Sequence, residues 1–274
     1  MQPIRQWNTD TRPLRPKLLG NRSFSLRQVL PSVLTIMALC SGLTAIRFAA
    51  EGNWHLAIFA MLAAAACDTL DGRIARLMKT TSNFGAQLDS LSDVIAFGVT
   101  PAMILYFWAL EEIGRLGWVA VIFFVACAAI RLARFNLDIG DTAKPAYKAN
   151  YFTGVPTPCA TGLVLAPLIL SFELGEVMKQ YPKLLALWMI VAACLMVSQL
   201  PTFSFKRVRI ESNYVPLVLM TVAGMMGALF VEPWLTLAAL AIVYVICLPL
   251  SYELHHRQAR AYAANPAANQ LSGQ

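Results

Sequence analysis

Long apolar stretches separated by short polar loops constrain this chain more than any other feature of its sequence. Each stretch approaches the about 20 residues that a helix needs to cross the hydrocarbon core of a bilayer. Only 14% of the 274 residues are charged and the mean hydropathy is +0.58, which excludes an ordinary water-soluble domain. We expect an all-α, polytopic transmembrane helix bundle of about eight spans. The predicted spans are 29–50, 54–75, 84–108, 116–135, 155–172, 183–201, 214–231 and 233–250.

The positions of the basic residues predict the orientation of these spans. With the N-terminus in the cytoplasm, 18 of the 22 lysines and arginines fall in cytoplasmic segments, so both termini are predicted to be cytoplasmic. The predicted organisation is a basic arm over 1–28, one membrane domain over 29–250 and a tail over 251–274. The net charge of +7 is spread over short loops rather than one soluble module, so membrane lipid is the expected partner and nucleic acid is not.

Four aspartates lie in the second and third predicted spans, near the cytoplasmic ends of both. Asp68 and Asp71 are about 60° apart on one helix, and Asp89 and Asp93 are about 40° apart on the next. Because the two helices are antiparallel neighbours, the two pairs are expected to converge. A charged residue at the centre of a membrane costs about 2.5–3.5 kcal/mol, so a cluster of four needs cations or water.

The chemistry of this cluster favours a divalent metal. Ligand sets made only of carboxylates suit Mg²⁺ or Mn²⁺, and two such ions would fit four aspartates and could bridge a diphosphate. Small residues nearby, Gly72, Ala75 and Gly85, would let a bulky ligand approach the backbone, and Arg76 offers a cation to phosphate oxygens. Two simpler interpretations are helix packing by the small residues and an ion site of a transporter.

The stretch from Asp68 to Asp93 carries a family resemblance. It reads Asp, two residues, Asp-Gly, two residues, Ala-Arg, eight residues, Gly, three residues, Asp, three residues, Asp. This pattern resembles the signature of the CDP-alcohol phosphatidyltransferases, which displace CMP from a CDP-linked lipid or alcohol with a second alcohol, using Mg²⁺ or Mn²⁺. The resemblance implies an enzyme of phospholipid biosynthesis in a bacterial inner membrane, with its active site facing the cytoplasm.

The resemblance also implies roles for the residues of the motif. Asp68, Asp71 and Asp89 would hold metal and the CDP diphosphate, and Asp93 would be a metal neighbour and the general base. The nucleotide would be lined by four further residues, Gly72, Ala75, Arg76 and Gly85.

Flanking segments bear on the acceptor alcohol. The stretches 84–102, 131–136, 152–160 and 201–206 resemble those of the serine-using, integral-membrane branch of the family, which implies CDP-diacylglycerol and L-serine as substrates. One departure is Ser32, where relatives usually carry Asn. Serine brings a carboxylate, so its site should offer cations at cytoplasmic helix ends; the candidates for serine or lipid phosphate are Arg131, Arg134, Asn136 and Lys206.

Three alternatives stay open at this point. Basic residues at cytoplasmic helix ends are also what membrane orientation alone requires, so the cationic candidates can be purely topological. Another acceptor, such as glycerol 3-phosphate, choline or an inositol, would use the same aspartates. A cation-coupled transporter would be expected to show inverted repeats with broken helices, and no such repeat is visible. The oligomeric state is open, a homodimer included.

Overall fold

The computed structural model describes residues 26–78, 82–139, 151–198, 201–203 and 214–247, which excludes most of the predicted arm over 1–28 and the whole predicted tail over 251–274. Within the described ranges the chain forms nine α-helices: α1 (Leu26–Ala50), α2 (Trp54–Leu77), α3 (Asn83–Asp93), α4 (Thr100–Trp108), α5 (Arg115–Ile139), α6 (Thr157–Leu174), α7 (Pro182–Val197), α8 (Val215–Val231) and α9 (Pro233–Cys247). Two short 3₁₀ turns, Leu110–Ile113 and Met178–Gln180, join α4 to α5 and α6 to α7.

The predicted all-α membrane bundle is confirmed. Five helical stretches are long and apolar enough to cross a membrane: Val29–Ala50, Trp54–Leu77, Phe84–Trp108, Arg115–Leu137 and Thr157–Leu174. The remaining three predicted spans correspond to α7, α8 and α9, which are apolar but shorter. The count of eight spans and the cytoplasmic placement of both termini therefore remain predictions.

Close helix packing depends on small side chains along α1 and α2, the most extensive helix pair in the described chain. Ala45 and Ala49 of α1 and Ala57 and Ala64 of α2 are all fully or almost fully buried. Small residues let helix backbones approach closely in a membrane, where apolar side chains gain little by leaving lipid. α1 also packs against α3 and α4, so it supports the helices that carry the aspartates.

The third predicted span is one continuous helix with a π-helical segment, Val94–Val99, between α3 and α4. The widened turn begins directly after Asp93, and its backbone is held by hydroxyl groups: Thr161 of α6 donates to the Phe97 carbonyl at 2.9 Å. Thr100 donates to the Ile95 carbonyl at 3.0 Å. Such insertions frequently occur at functional sites because they rotate the following helix relative to the preceding one. The sequence did not predict this segment.

A short two-stranded ladder pairs β1 (Tyr151–Thr153), which precedes α6, with β2 (Pro201–Phe203), which follows α7. The strands are antiparallel, with Phe152 opposite Thr202. Gly154 follows β1 with a φ of 79°, and a Cβ there would collide with the Met196 carbonyl, so this position requires glycine. The ladder is a small addition to the helical fold that the sequence did not predict.

The C-terminal hairpin of α8 and α9 is attached through α9. The Trp234 indole at the start of α9 packs against the rings of His55, Phe59 and Phe172, with ring centroids 5.2, 5.1 and 4.7 Å away. Further along α9, Ala238 is buried in the core. By contrast, α8 has no buried residue among its described positions, which suits a helix surrounded by lipid.

Candidate active site

Three of the four aspartates come together where α2 and α3 face one another. Oxygen atoms of Asp68, Asp71 and Asp89 all lie within 4.8 Å of one another, and Asp71 is only 4% exposed. Asp93, one helical turn beyond Asp89, lies outside this triad, but its carboxyl group is in hydrogen-bonding contact with that of Asp68. The structure therefore brings the aspartates of the two helices together, as helical spacing predicts.

The start of α3 is fixed by its own sequence. Ser82 is extended, with φ of −117° and ψ of 149°, and its hydroxyl accepts a hydrogen bond from the Gly85 backbone N–H at 3.0 Å. A serine in this conformation is a favourable N-cap because it satisfies an N–H group that has no partner within the helix. A Cβ at Gly85 would lie only 3.1 Å from the Ser82 hydroxyl oxygen, so glycine permits the close cap. The cap sets the rotation of α3 and hence of Asp89.

Thr35 of α1 supports the acidic cluster, and the sequence did not identify it. Its hydroxyl donates to the Asp71 carboxylate at 2.6 Å and also contacts the Pro31 carbonyl at 3.1 Å. Ser92 of α3 donates to the Thr35 carbonyl at 3.2 Å, which ties α3 to the same turn of α1. A threonine within an apolar helix is a weak signal, because its hydroxyl often bonds only to the carbonyl one turn earlier.

The acids have little compensation from the rest of the protein. Among the described residues, no lysine or arginine forms an ion pair with any of the four; the ion pairs present are Arg47–Glu51 and Lys179–Glu176, both at helix ends. Several carboxylates held this close repel one another unless a cation lies between them. Their oxygen-only donor set and their spacing fit Mg²⁺ or Mn²⁺.

The predicted nucleotide-lining residues lie on the last turns of α2 and the first turn of α3. The Arg76 side chain folds back along α2, where its Nε donates to the Gly72 carbonyl at 2.9 Å. A Cβ at Gly72 would meet only the Arg76 guanidinium, at 3.8 Å, so there is open space beside that backbone. Ala75 is partly exposed on the same helix. Because Arg76 is exposed, its remaining N–H groups can face a ligand.

The cationic candidates have different surroundings. Arg131 of α5 is 9% exposed, donates from Nη1 to the Thr157 hydroxyl at 2.7 Å, and lies within electrostatic range of Asp93. Arg134 is exposed and donates from Nη1 to the Val197 carbonyl at 3.0 Å, which joins α5 to the end of α7. Arg131 is therefore buried within electrostatic range of Asp93, whereas Arg134 is exposed and bonded to the end of α7.

Two candidates for binding the acceptor remain, Asn136 and Lys206. Asn136 is exposed, and its Nδ2 donates to the Ser90 hydroxyl at 2.9 Å, which links the end of α5 to α3 between Asp89 and Asp93. Lys206 lies outside the described residues.

Comparisons with known proteins agree with this geometry. Residues 28–199 match the family model described as CDP-alcohol phosphatidyltransferase. The chain is 36% identical over 232 residues to the CDP-diacylglycerol–serine O-phosphatidyltransferase of Mycobacterium tuberculosis, covering 85% of this chain and 80% of that protein. It is 34% identical over 241 residues to the protein of the same name from Mycobacterium leprae, covering 88% and 79%. The protein of that name from Helicobacter pylori is 35% identical over 216 residues, covering 79% and 87%.

Proposed function

Because the chain belongs to the CDP-alcohol phosphatidyltransferase family, we propose that it transfers the phosphatidyl group of CDP-diacylglycerol to L-serine, giving phosphatidylserine and CMP. The observation that supports the proposal is the triad of Asp68, Asp71 and Asp89, with Asp93 beside it, contributed by α2 and α3. Serine is favoured as the acceptor because relatives that share most of the chain's length are named for that substrate.

The triad provides the ligands for a divalent cation, Mg²⁺ or Mn²⁺, and the full cluster has enough carboxylates for two ions. When bound, such a cation supplies positive charge that neutralises the diphosphate of the donor and the CMP that leaves. The Thr35 hydroxyl orients Asp71 by donating to one of its carboxylate oxygens.

Asp93 is the proposed general base. It accepts the proton of the serine hydroxyl as the serine oxygen attacks the lipid-side phosphorus, and the bond from that phosphorus to the CMP oxygen breaks. Its place one turn beyond the triad and within electrostatic range of Arg131 lets it face the acceptor. The other acids face the donor.

The donor nucleotide is proposed to lie along α2. The open space beside Gly72 and the small side chain of Ala75 leave room for it, and the exposed guanidinium of Arg76 can contact a phosphate. Gly85 contributes through the tight cap that begins α3.

The acceptor is proposed to lie on the opposite side, towards α5. Arg131 is the main cation for the serine carboxylate, because it is buried and near Asp93. Arg134 and Asn136 are proposed to lie at the rim, where they contact serine or a lipid phosphate, and Lys206 stays a candidate for the same ligands.

The location follows from the same chemistry. We propose an enzyme of the bacterial inner membrane whose acids face the cytoplasm, where water-soluble serine and metal can meet a donor whose acyl chains stay in the bilayer. A homodimer remains a prediction, and the mass of the detergent-solubilised protein by light scattering checks it.

The test is a transfer assay with the purified full chain, CDP-diacylglycerol, Mn²⁺ or Mg²⁺ and a panel of acceptors. We expect metal-dependent CMP release and a phosphatidylserine product with L-serine. Asp93→Asn should lower kcat by at least about 100-fold, the usual contribution of a positioned base. Glu111→Gln, which removes an exposed carboxylate at the other end of the bundle, is the control and should leave kcat unchanged.

Two results would contradict the proposal. CMP release with glycerol 3-phosphate but not with serine would exclude serine as the acceptor while leaving the family reaction intact. Absence of metal-dependent CMP release with every acceptor would exclude the transferase reaction itself.

A further inference from the structure

Two buried polar groups without a well-formed hydrogen bond lie on the acceptor side of the site. They are the Nε–H of Arg131, which no acceptor among the described residues meets, and the hydroxyl of Tyr244, which lies beside the thiol of Cys159, a weak hydrogen-bonding group. Buried donors are almost always paired, because an unpaired one loses its hydrogen bonds to water without compensation. Exceptions therefore mark positions where a ligand can complete the bonding.

The two groups belong to one cluster. The Tyr244 hydroxyl lies beside the Cys159 thiol and within electrostatic range of the Arg131 guanidinium. Arg131 is oriented by its hydrogen bond to Thr157, at the first turn of α6, and it is also within range of Asp93. Across the site the order is therefore the proposed base, the arginine and then the tyrosine.

The position of Tyr244 is set by the packing of α9. Trp234 anchors the start of α9 against Phe172 near the end of α6, and Ala238 continues the buried face. Tyr244 also packs against the core, about 15 Å beyond Trp234 along the helix, where it meets Cys159 near the start of α6. The helix therefore runs antiparallel to α6 and delivers one hydroxyl group to the Arg131 cluster.

This placement gives the C-terminal hairpin a role in substrate choice. The match to the family model ends at residue 199, before α8 and α9 begin. The aspartate motif shared by the family therefore cannot by itself account for a contact made by Tyr244. A residue from α9 is suited to reading the part of the acceptor that differs from one alcohol to another.

On the basis of the proposed transfer to serine, we propose that Tyr244 is a specificity-determining residue that binds the carboxylate of an amino-acid acceptor together with Arg131. The tyrosine O–H donates to one carboxylate oxygen and the Arg131 Nε–H donates to the other. The charge of the carboxylate strengthens both hydrogen bonds, and the charge of the guanidinium strengthens the second. Serine is short enough for its hydroxyl to face Asp93 while its carboxylate faces Arg131. Because both donor atoms are shielded in this structure, entry of the acceptor moves the Tyr244 ring away from the Cys159 thiol.

The test compares Tyr244→Phe with the wild-type full chain, using CDP-diacylglycerol, Mn²⁺ and two acceptors. One is L-serine and the other is 2-amino-1,3-propanediol, in which a hydroxymethyl group replaces the carboxylate. Loss of a hydrogen bond to a charged group predicts a kcat/KM for serine that is about tenfold lower or more, through a higher KM. The propanediol, which lacks the carboxylate, should be used equally well by both proteins, and KM for CDP-diacylglycerol should not change.

A matched control removes a phenolic hydroxyl elsewhere. Tyr106 of α4 is partly buried and packs its ring against Trp118 at 5.4 Å, so Tyr106→Phe should leave the preference for serine unchanged. Thermal unfolding of each variant checks that it folds. If the propanediol is not turned over, it is tested as an inhibitor of serine transfer beside L-alanine, which keeps the carboxylate. Only the inhibition constant for alanine should rise in Tyr244→Phe.

Three results would overturn the inference while leaving the proposed function intact. The first is an unchanged preference for serine in folded Tyr244→Phe, and the second is an equal loss of kcat/KM with both acceptors. The third is a rise confined to KM for CDP-diacylglycerol. The last of these would mean that the tyrosine contacts the donor phosphate instead. If the wild-type protein itself fails to use serine, the proposed function fails and this inference fails with it.

Discussion

The acidic side of the site and its cationic side are built in opposite ways. The four aspartates have few partners within the protein: Thr35 donates to Asp71, and the remaining contacts are mainly among the acids themselves. The arginines are each fixed by a protein oxygen, Arg131 by Thr157 and Arg134 by Val197. The acids are therefore assembled at an electrostatic cost that a cation relieves, whereas the cations are oriented before any substrate arrives.

The two sides therefore differ in whether their charged residues also have a structural role. An arginine with one N–H group bound to the protein and others unused can serve both the fold and the substrate. A cluster of acids that forms no ion pair with a basic residue in the described ranges has no comparable structural benefit, so its charge in an apolar bundle has to be balanced by cations or water.

The largest effect on the cationic side is expected for Arg131. In Arg131→Met the buried charge near Asp93 is lost, so KM for serine should rise by about 100-fold, the usual size of a charged hydrogen-bonded contact. Arg134→Met is the matched control, because it removes the same group from an exposed position on the same helix. Its effect on KM should stay within about threefold, with a loss of about 1 kcal/mol in unfolding free energy from the broken bond to Val197.

Steady-state kinetics with serine as the varied substrate measure this pair. Equal effects of the two substitutions would contradict the distinction between Arg131 as the main cation for the acceptor and Arg134 as a residue at the rim.

A smaller effect is expected on the acidic side from Thr35→Val, which keeps the shape of the side chain but removes the donor to Asp71. Because that hydrogen bond orients a carboxylate, kcat/KM should fall by about tenfold and the Mn²⁺ concentration for half-maximal activity should rise. The control is Thr44→Val on the same helix, whose hydroxyl donates to the Cys40 carbonyl at 2.7 Å. Activity titrated with Mn²⁺ should be unchanged in that control; a parallel loss in both variants would mean that the helix, rather than the acid, was disturbed.

The acidic side was predictable from the sequence because its geometry is local. Helical spacing places Asp68 with Asp71 and Asp89 with Asp93, and a short connection makes the two helices antiparallel neighbours. The Ser82 cap and the open space beside Gly72 belong to the same stretch. The membrane bundle was predictable for a similar reason, since a run of apolar residues has few other folds available in lipid.

The rest depended on contacts between residues far apart in the chain. Thr35 has the same local pattern as Thr44, and only the packing of α1 on α2 brings one of them to Asp71. The π-helical segment after Asp93 has no characteristic residue and is held by Thr161 from another helix. Tyr244 comes within electrostatic range of Arg131 through the docking of α9, which sequence periodicity does not specify.

Mn²⁺ binding to the purified full chain tests directly whether the acids of α2 and α3 form a divalent metal site. Electron paramagnetic resonance of free Mn²⁺, with CDP-diacylglycerol present, counts the bound ions. The wild-type protein should bind about two ions per chain, as expected if the four carboxylates hold two ions beside the donor diphosphate. The double variant Asp68→Asn with Asp89→Asn should lose that binding while Glu111→Gln retains it. Unchanged binding in the folded double variant would contradict the account.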